Sequence, residues 1–265
     1  MVALPPESKH EQISAMLREV LAAIDHEAAP TDFWHTPDRV VRVDDFLVEH
    51  LRPEWATVYQ LRPGDEFVRE QPTQKLEREA EFFILAARKY SWPTRKGHFG
   101  NAALVEDRPV VDGACVLAQP VPEDPAPVRL TLTDEDRTIT AGTATLVGVD
   151  HSGAALSIDF NLATRRQQYS TDAMASCTSC TFSGVVGATP KTSVRVDWFL
   201  TKSTVQDRLV RDAVKKLLQD IRLGGLTFNL ELPDISRDIF VEGAFPWAAV
   251  ELRVIARYQH HVVAP

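Results

Sequence analysis

Two cysteines with the spacing of half a zinc site are the most chemically suggestive residues in the sequence. Cys177 and Cys180 are separated by a threonine and a serine, which lets both thiolates reach one tetrahedral ion. A structural zinc site needs two further ligands, and the candidates are Cys115 and the adjacent His260 and His261. None of these brings a second C-x-x-C or H-x3–5-H spacing, so two small thiols in a Ser/Thr-rich loop are the favoured interpretation. A redox dithiol is disfavoured because no thioredoxin-like strand–helix pattern surrounds the pair.

The other motifs that could carry chemistry are incomplete. Ser152 lacks the flanking glycine of a G-x-S-x-G nucleophile elbow, and no G-x-x-x-x-G-K-[ST] phosphate loop occurs. The acidic run 134–136 could hold a hard cation, although a solvated hairpin turn is the favoured interpretation. We therefore predict no catalytic residue and no resident cofactor, with zinc at Cys177 and Cys180 as the alternative.

The composition is that of a globular chain with its own core. The 265 residues are 44% hydrophobic and 25% charged, and the net charge of −8 disfavours binding to nucleic acid or anionic lipid. Three cysteines form no disulfide framework, which favours a reducing compartment. The sequence shows neither a secretory signal nor an apolar run of about 20 residues. These features predict a soluble, cytoplasmic protein without membrane contact.

Helical patterns are the main signal in residues 1–100, which we interpret as an N-terminal helical region. Ser8 and Glu11 match a capping box, and apolar residues follow at helical spacing to position 24. A Thr-Pro pair at 36–37 predicts the start of a second helix that extends to position 51. A third helix is expected over 73–90.

Residues 101–192 form a β-rich region in this interpretation. Strict alternation over 128–133 predicts a half-buried strand, and 138–150 and 154–162 predict two further strands joined by a turn at 151–153. The segment 165–192 is rich in Ser, Thr, Gly and Ala without clear periodicity. It predicts a long loop, and loops of that length tend to be functional or disordered.

Residues 193–265 predict a C-terminal block with a strand at 194–200, an amphipathic helix at 204–221 and a closing strand at 250–258. The predicted fold class is α+β, with N-terminal helices, an antiparallel β-rich middle and a C-terminal strand–helix–strand sandwich. The three regions are expected to pack together as one domain.

Two segments resemble known families. Val194, Val196, Asp197 and Trp198 match a VxVDxW strand that leads into the amphipathic helix, and the chain closes with an alternating VELxVxxRY strand. This pattern is similar to tail-terminator and tail-completion proteins of bacteriophages. The resemblance implies an oligomeric ring, in which the segment 165–192 would be a docking arm that becomes ordered on assembly.

The second resemblance lies near the N-terminus. Residues 17–51, with Thr36, Pro37, Arg39 and Val40 as a Thr-Pro-x-Arg-Val helix start, resemble the N-terminal helical region of GTP cyclohydrolase I. That family uses a Cys-Glu-His-His zinc motif and a later His-x-Cys, and neither occurs here. Without these ligands, no zinc ion is held that could activate the water required by that reaction.

The sequence as a whole favours a non-enzymatic structural or assembly subunit, with a phage-tail-like particle as the suggested context. It would self-associate into an oligomer and contact other protein subunits. The alternative is a tunnelling-fold enzyme or a purine or pterin binder, similar to GTP cyclohydrolase I but with a rearranged site. A third possibility is a binding module stapled by zinc at Cys177 and Cys180.

Overall fold

The computed structural model has a mixed α+β fold that is rich in strands. It describes residues 8–44, 56–69, 76–89, 98–99, 103–122, 124–164, 167–242 and 245–260. The chain divides into two compact units, which we call unit 1 (Met1–Tyr90 with Ser203–Pro265) and unit 2 (Ser91–Lys202). In the described part of the chain, no helix combines the length and the apolar character that crossing a membrane requires.

The elements follow one another in this order: α1 (Lys9–Ala22), β1 (Arg39–Arg42), β2 (Thr57–Arg69), β3 (Leu76–Lys89), β4 (His98–Phe99), β5 (Ala103–Pro109), β6 (Gly113–Cys115), β7 (Val128–Thr133), β8 (Ala141–Asp150), β9 (Ala155–Asn161), β10 (Gln167–Tyr169), β11 (Met174–Val186), β12 (Ser193–Trp198), β13 (Leu200–Thr201), α2 (Lys202–Gln219), a 3₁₀ turn (Leu223–Gly225), β14 (Asn229–Glu242) and β15 (Phe245–His260).

Unit 1 contains a five-stranded sheet in the order β1-β2-β3-β15-β14. β1 is parallel to β2, and the other neighbouring strands are antiparallel. On one face of the sheet, alternate residues of β2, β3 and β15 are almost completely buried, as expected of a face covered by helices. His10 of α1 stacks on Phe82 of β3 at 4.9 Å, and Gln206 of α2 donates to the carbonyl of Ala249 at 3.0 Å. We call this side the helix face.

Unit 2 is built mainly from two four-stranded sheets, in the orders β10-β7-β12-β5 and β6-β11-β8-β9. Its core residues include Val128, Leu130, Leu146, Val196 and Trp198, all at most 1% exposed. Gly148 of β8 allows a close backbone approach to β11, because a Cβ atom there would lie 1.9 Å from the carbonyl oxygen of Ser176. No side chain larger than hydrogen fits at this position.

Several local predictions are confirmed. The side-chain oxygen of Ser8 accepts from the backbone N–H of Glu11, and the Glu11 carboxylate accepts from the N–H of Ser8, which completes the capping box. The strands predicted at 128–133, 138–150 and 154–162 correspond to β7, β8 and β9. The Asp150 carboxylate accepts the backbone N–H groups of Ser152 and Ala154 in the turn between β8 and β9. The C-terminal helix and closing strand correspond to α2 and β15.

The second and third predicted helices are wrong where the structure describes them. Residues 39–42 form β1, and residues 76–89 form β3, the central strand of its sheet. The parts of the two predicted helices at 45–51, 73–75 and 90 lie outside the described residues. Apolar residues of β3 are buried on both sheet faces, for example Phe82 and Ile84 on one and Leu85 and Ala87 on the other. A strand buried on both faces gives a continuous apolar run, in which helical spacing can also be found.

The long loop predicted at 165–192 is also wrong, because it contains β10 and the 13-residue strand β11. The inward residues of β11 are Met174, Cys177, Cys180 and Phe182, which are spaced by three, three and two positions. Register shifts between 174 and 176 and between 177 and 179 account for this irregular spacing. The bulges conceal the two-residue alternation that identifies a strand.

Each of the two units contains residues from more than one of the three regions defined from the sequence. β12, predicted as the first element of the block 193–265, pairs with β5 and β7 in unit 2. The region 1–100, predicted as helical, contributes β1, β2 and β3 to the same sheet as β14 and β15. The alternation of a strand reports which residues are buried, but it does not identify the strand's neighbours.

Candidate functional site

A buried cluster of titratable groups lies in unit 1, where a loop after α1 meets α2. The Asp212 carboxylate is completely buried and accepts the backbone N–H groups of Trp34 and His35 at 2.9 and 3.0 Å. The Nδ1 atom of His35 lies 3.1 Å from the same carboxylate. Because an ionised carboxylate only accepts, this contact places the imidazole proton on Nδ1 and leaves Nε2 unprotonated.

Burial controls the protonation of His35. The side chain is 2% exposed, and this loss of solvation lowers its pKa from 6.5 to about 4. The hydrogen bond and charge of Asp212 act in the opposite direction, while the positive charges of Arg88 and Arg208 lower the pKa further. His35 is therefore a neutral histidine at pH 7.

Polar groups of β2 and β3 extend this cluster on the helix face. The Tyr59 hydroxyl is fully buried and has no hydrogen-bond partner within the described part of the chain. Its burial, followed by the nearby charge of Asp212, raises the pKa of Tyr59. Arg88 donates to the hydroxyl of Thr57. The cluster thus combines a neutral imidazole, a carboxylate and a phenol beneath α2.

Further contacts from α2 fix the loop that carries His35. The guanidinium of Arg208 lies 3.9 Å from the centre of the Trp34 ring, and Lys215 forms a 2.6 Å ion pair with Asp32. Together with Asp212, these residues of α2 contact positions 32, 34 and 35 of the loop. Cation–π and ion-pair contacts of this kind mainly fix geometry.

The His35–Asp212 pair has the arrangement of the orienting half of a catalytic triad. A general base must come within hydrogen-bonding reach of the proton that it removes, and the imidazole is almost completely excluded from solvent. In this conformation the pair therefore connects the loop to α2 and stabilises unit 1.

Sequence reasoning missed this pair because the histidines looked scattered. One signal was available: Asp212 is three residues after Leu209 and one residue before Ala213, so it lies on the apolar stripe of α2. A carboxylate on an apolar helix face needs a buried partner.

The cysteines proposed as zinc ligands lie in unit 2. Cys177 and Cys180 are buried in β11, and Cys115 of β6 is the direct cross-strand partner of Cys180. All three cysteines are free thiols. His260 ends β15 in unit 1, and His261 lies outside the described residues. No group of three or more His, Cys, Asp or Glu side chains within the described ranges is arranged to hold a metal ion.

The remaining sequence candidates have structural contacts. The Asp134 carboxylate accepts the backbone N–H of Ile139 at 3.0 Å and the hydroxyl of Thr138 at 3.3 Å. Ser152 donates its hydroxyl to Asp150 at 2.7 Å within the hairpin turn. These interactions are typical of turns that are closed by aspartate side chains.

A polar groove lies in unit 2 between β9 and β10, each at the edge of its sheet. Its volume is about 760 Å³, and its lining includes Asp159, Gln167, Tyr169 and Asp172. Tyr169 is half exposed and packs against Phe199 at 4.9 Å. This size is within the range of small-molecule sites, but carboxylates, amides and hydroxyls make the lining polar.

The two edges of the unit 1 sheet, as formed by the described strands, are candidate surfaces for protein contacts. β14 is 14 residues long and, among the described strands, is hydrogen-bonded only to β15. β1 forms the opposite edge and carries exposed Arg39 and Arg42. An edge strand presents a row of unpaired N–H and C=O groups to any strand that approaches it.

The sheet face opposite the helix face carries cross-strand ion pairs. Arg253 of β15 pairs with Glu81 of β3. Arg257 pairs with Glu79 at 2.8 Å and with Glu231 of β14 at 2.9 Å, so these charges bridge three strands. Cross-strand pairs of opposite charge stabilise strand register. Here they link β3, β15 and the edge strand β14.

Comparisons with protein-family models and with curated proteins gave no match for this chain.

Proposed function

We propose that the chain is a structural subunit that self-associates through the edges of its five-stranded sheet. The observation that carries this proposal is the length of β14, a 14-residue strand that is paired on one side with β15. Strands in globular proteins usually have about five or six residues, and long open edges tend to be covered or blocked. A second subunit would cover this edge.

The two halves of β14 differ in their suitability for pairing. The first half contains Pro233 and a register shift between Glu231 and Asp234, and both features discourage the approach of another strand. Residues 234–242 pair with β15 without a register shift, and Ile235 is 39% exposed. We therefore assign the subunit contact to residues 234–242.

Charge favours head-to-tail association over a symmetric pairing of β14 with itself. The β1 edge carries Arg39 and Arg42, whereas residues 234–242 of β14 contain three acidic residues and one arginine. Pairing β1 of one subunit with β14 of the next brings opposite charges together, while pairing β14 with a second β14 brings acidic residues together. Head-to-tail contacts generate rings when their rotation closes.

The suggested setting is a phage-tail-like particle assembled in the cytoplasm. The resemblance of residues 193–260 to tail-terminator and tail-completion proteins supports this setting, because those proteins work as oligomeric rings. Other protein subunits would then be the further partners. The role proposed for the chain is non-enzymatic, and the buried His35–Asp212 pair is assigned to connecting the loop to α2.

Sedimentation velocity of charge-reversed variants tests the head-to-tail contact. Arg42→Glu and Asp234→Arg are each expected to convert the oligomer to monomers, and the double variant is expected to restore it because the attraction is only reversed. Lys191→Glu, an exposed substitution in unit 2, is the control that should leave the oligomer unchanged.

Two outcomes would contradict the proposal in different ways. A wild-type chain that sediments as a monomer across the accessible concentration range would refute self-association. An oligomer that responds to Asp234→Arg but not to Arg42→Glu would refute the head-to-tail arrangement and indicate a symmetric pairing of β14 edges.

A further inference from the structure

Three thiols lie close together on one sheet of unit 2. β6 and β11 are antiparallel neighbours, and Cys115 lies directly opposite Cys180 in their register. Cys177 precedes Cys180 by three residues, but the register shift between 177 and 179 brings both side chains to the buried face. Cys177 lies opposite Gly148 of β8, so its own cross-strand partner in that pairing has no thiol.

The backbone already places Cys115 and Cys180 at a distance suited to a covalent bond. Directly opposed residues of antiparallel strands have Cα atoms about 4.5–5.5 Å apart, and disulfides span Cα separations of about 4.4–6.8 Å. Each of the two thiols also influences the pKa of the other. Bond formation would therefore require a small adjustment of side-chain rotamers without a shift of either strand.

We propose that Cys115 and Cys180 are an oxidation site, which a small-molecule disulfide such as oxidised glutathione converts into a cross-strand disulfide. Cys115 is half-buried and Cys180 is 1% exposed, so Cys115 is the thiol that meets the oxidant first. The crosslink would fasten β6, a three-residue strand at the edge of its sheet, to β11.

The reaction proceeds in two thiol–disulfide exchanges. The Cys115 thiolate attacks one sulfur of oxidised glutathione, forms a mixed disulfide and releases one glutathione thiolate. The Cys180 thiolate then attacks the Cys115 sulfur, which forms the protein disulfide and releases the second glutathione. Two protein thiols are oxidised, one glutathione disulfide is reduced, and the two protein protons end on the two glutathione molecules.

Burial makes this site slow to react near neutral pH. Desolvation raises the pKa of Cys115, and desolvation with the neighbouring thiols raises the pKa of Cys180 to about 12. Because the thiolate is the attacking species, the rate should rise about tenfold for each pH unit while both thiols remain mostly protonated. The crosslink should therefore form slowly, during prolonged exposure to the oxidant.

Peptide mapping without reduction tests the proposal on the full-length protein. After incubation with oxidised glutathione and blocking of free thiols, the wild type should lose two thiols and yield a peptide that links Cys115 to Cys180. Cys177→Ser is the matched control, because it removes a buried thiol from the same sheet and should leave the crosslink intact. Cys115→Ser and Cys180→Ser should abolish it.

The wild-type map by itself decides the question if a serine variant fails to fold. A crosslink that includes Cys177 would overturn the assignment. Folded wild type that forms no crosslink, under conditions in which the urea-unfolded chain forms one, would overturn the proposal. Amide exchange of residues 113–115 gives a second readout, because the crosslinked edge strand should exchange more slowly than the reduced one.

Discussion

Acidification should destabilise unit 1 through His35. The pKa of His35 is lowered from 6.5 to about 4 by burial, whereas the unfolded chain would titrate near 6.5. Between these values the unfolded state binds a proton that the folded state does not bind. The contribution of neutral His35 to the free energy of unfolding is therefore fully present above pH 6.5 and is lost progressively as the pH falls toward 4.

The size of the effect follows from the pKa change. One pKa unit corresponds to about 1.4 kcal/mol, so lowering the pKa from 6.5 to about 4 corresponds to roughly 3 kcal/mol. The charged groups acting on the imidazole are Asp212, Arg88 and Arg208. A loss of roughly 3 kcal/mol is a large part of the stability of a typical domain.

Urea unfolding of the wild type and of His35→Asn between pH 4 and 7.5 measures this contribution. Asparagine can keep a donor close to the position of Nδ1 and does not titrate in this range. Hydrogen exchange of peptides from 202–219, which form α2, measures the stability of unit 1 separately from that of unit 2. As the pH falls, the free energy of unfolding of the wild type should decrease by roughly 3 kcal/mol more than that of His35→Asn. The control variant His151→Asn, in unit 2, should show the same pH dependence as the wild type.

Two observations would refute this reasoning. One is a parallel loss of stability in the wild type and in His35→Asn, which would assign the pH dependence to other groups. The other is an NMR titration of the His35 ring near pH 6.5 in the folded protein, which would show that burial does not control its protonation.

Three substitutions test the packing of the two units by thermal or urea unfolding. Leu209→Ala on the buried face of α2 should lower the free energy of unfolding by about 2–5 kcal/mol. Leu218→Ala, at a position 55% exposed on the same helix, should lower it by less than about 0.5 kcal/mol. Equal losses would contradict the assigned helix orientation. Gly148→Ala should cost about 1–3 kcal/mol because its Cβ meets the carbonyl of Ser176, and an unchanged melting temperature would contradict that contact. Ser8→Ala should lower the free energy of unfolding by about 1 kcal/mol because it removes the cap of α1. Amide hydrogens in the first turn of the helix should then exchange faster, and unchanged exchange would contradict a stabilising cap.

The sequence predicted elements well where the signal is local. The Ser8–Glu11 capping box depends on residues three positions apart, and the turn at 151–153 depends on a few consecutive residues. The amphipathic pattern of α2 and the alternation of β7 are also contained within single elements. Each of these patterns reports a physical requirement that a short segment satisfies by itself.

The sequence failed where burial comes from distant strands. β3 satisfies a helical pattern, but its pairing with β2 and β15 outweighs that local preference. The bulges of β11 depend on its partner β8, so the irregular spacing of its inward residues could not be assigned beforehand.

By itself, the sequence determined the α+β character of this protein, the caps and the regular strands, because these depend on neighbouring residues. Only the tertiary structure decided which residues meet across the chain. His35 and Asp212 are 177 positions apart, and Cys115 reaches Cys180 only through the register of β6 and β11. Periodicity encodes which side chains are buried, whereas long-range pairing selects their partners through the packing of the whole unit.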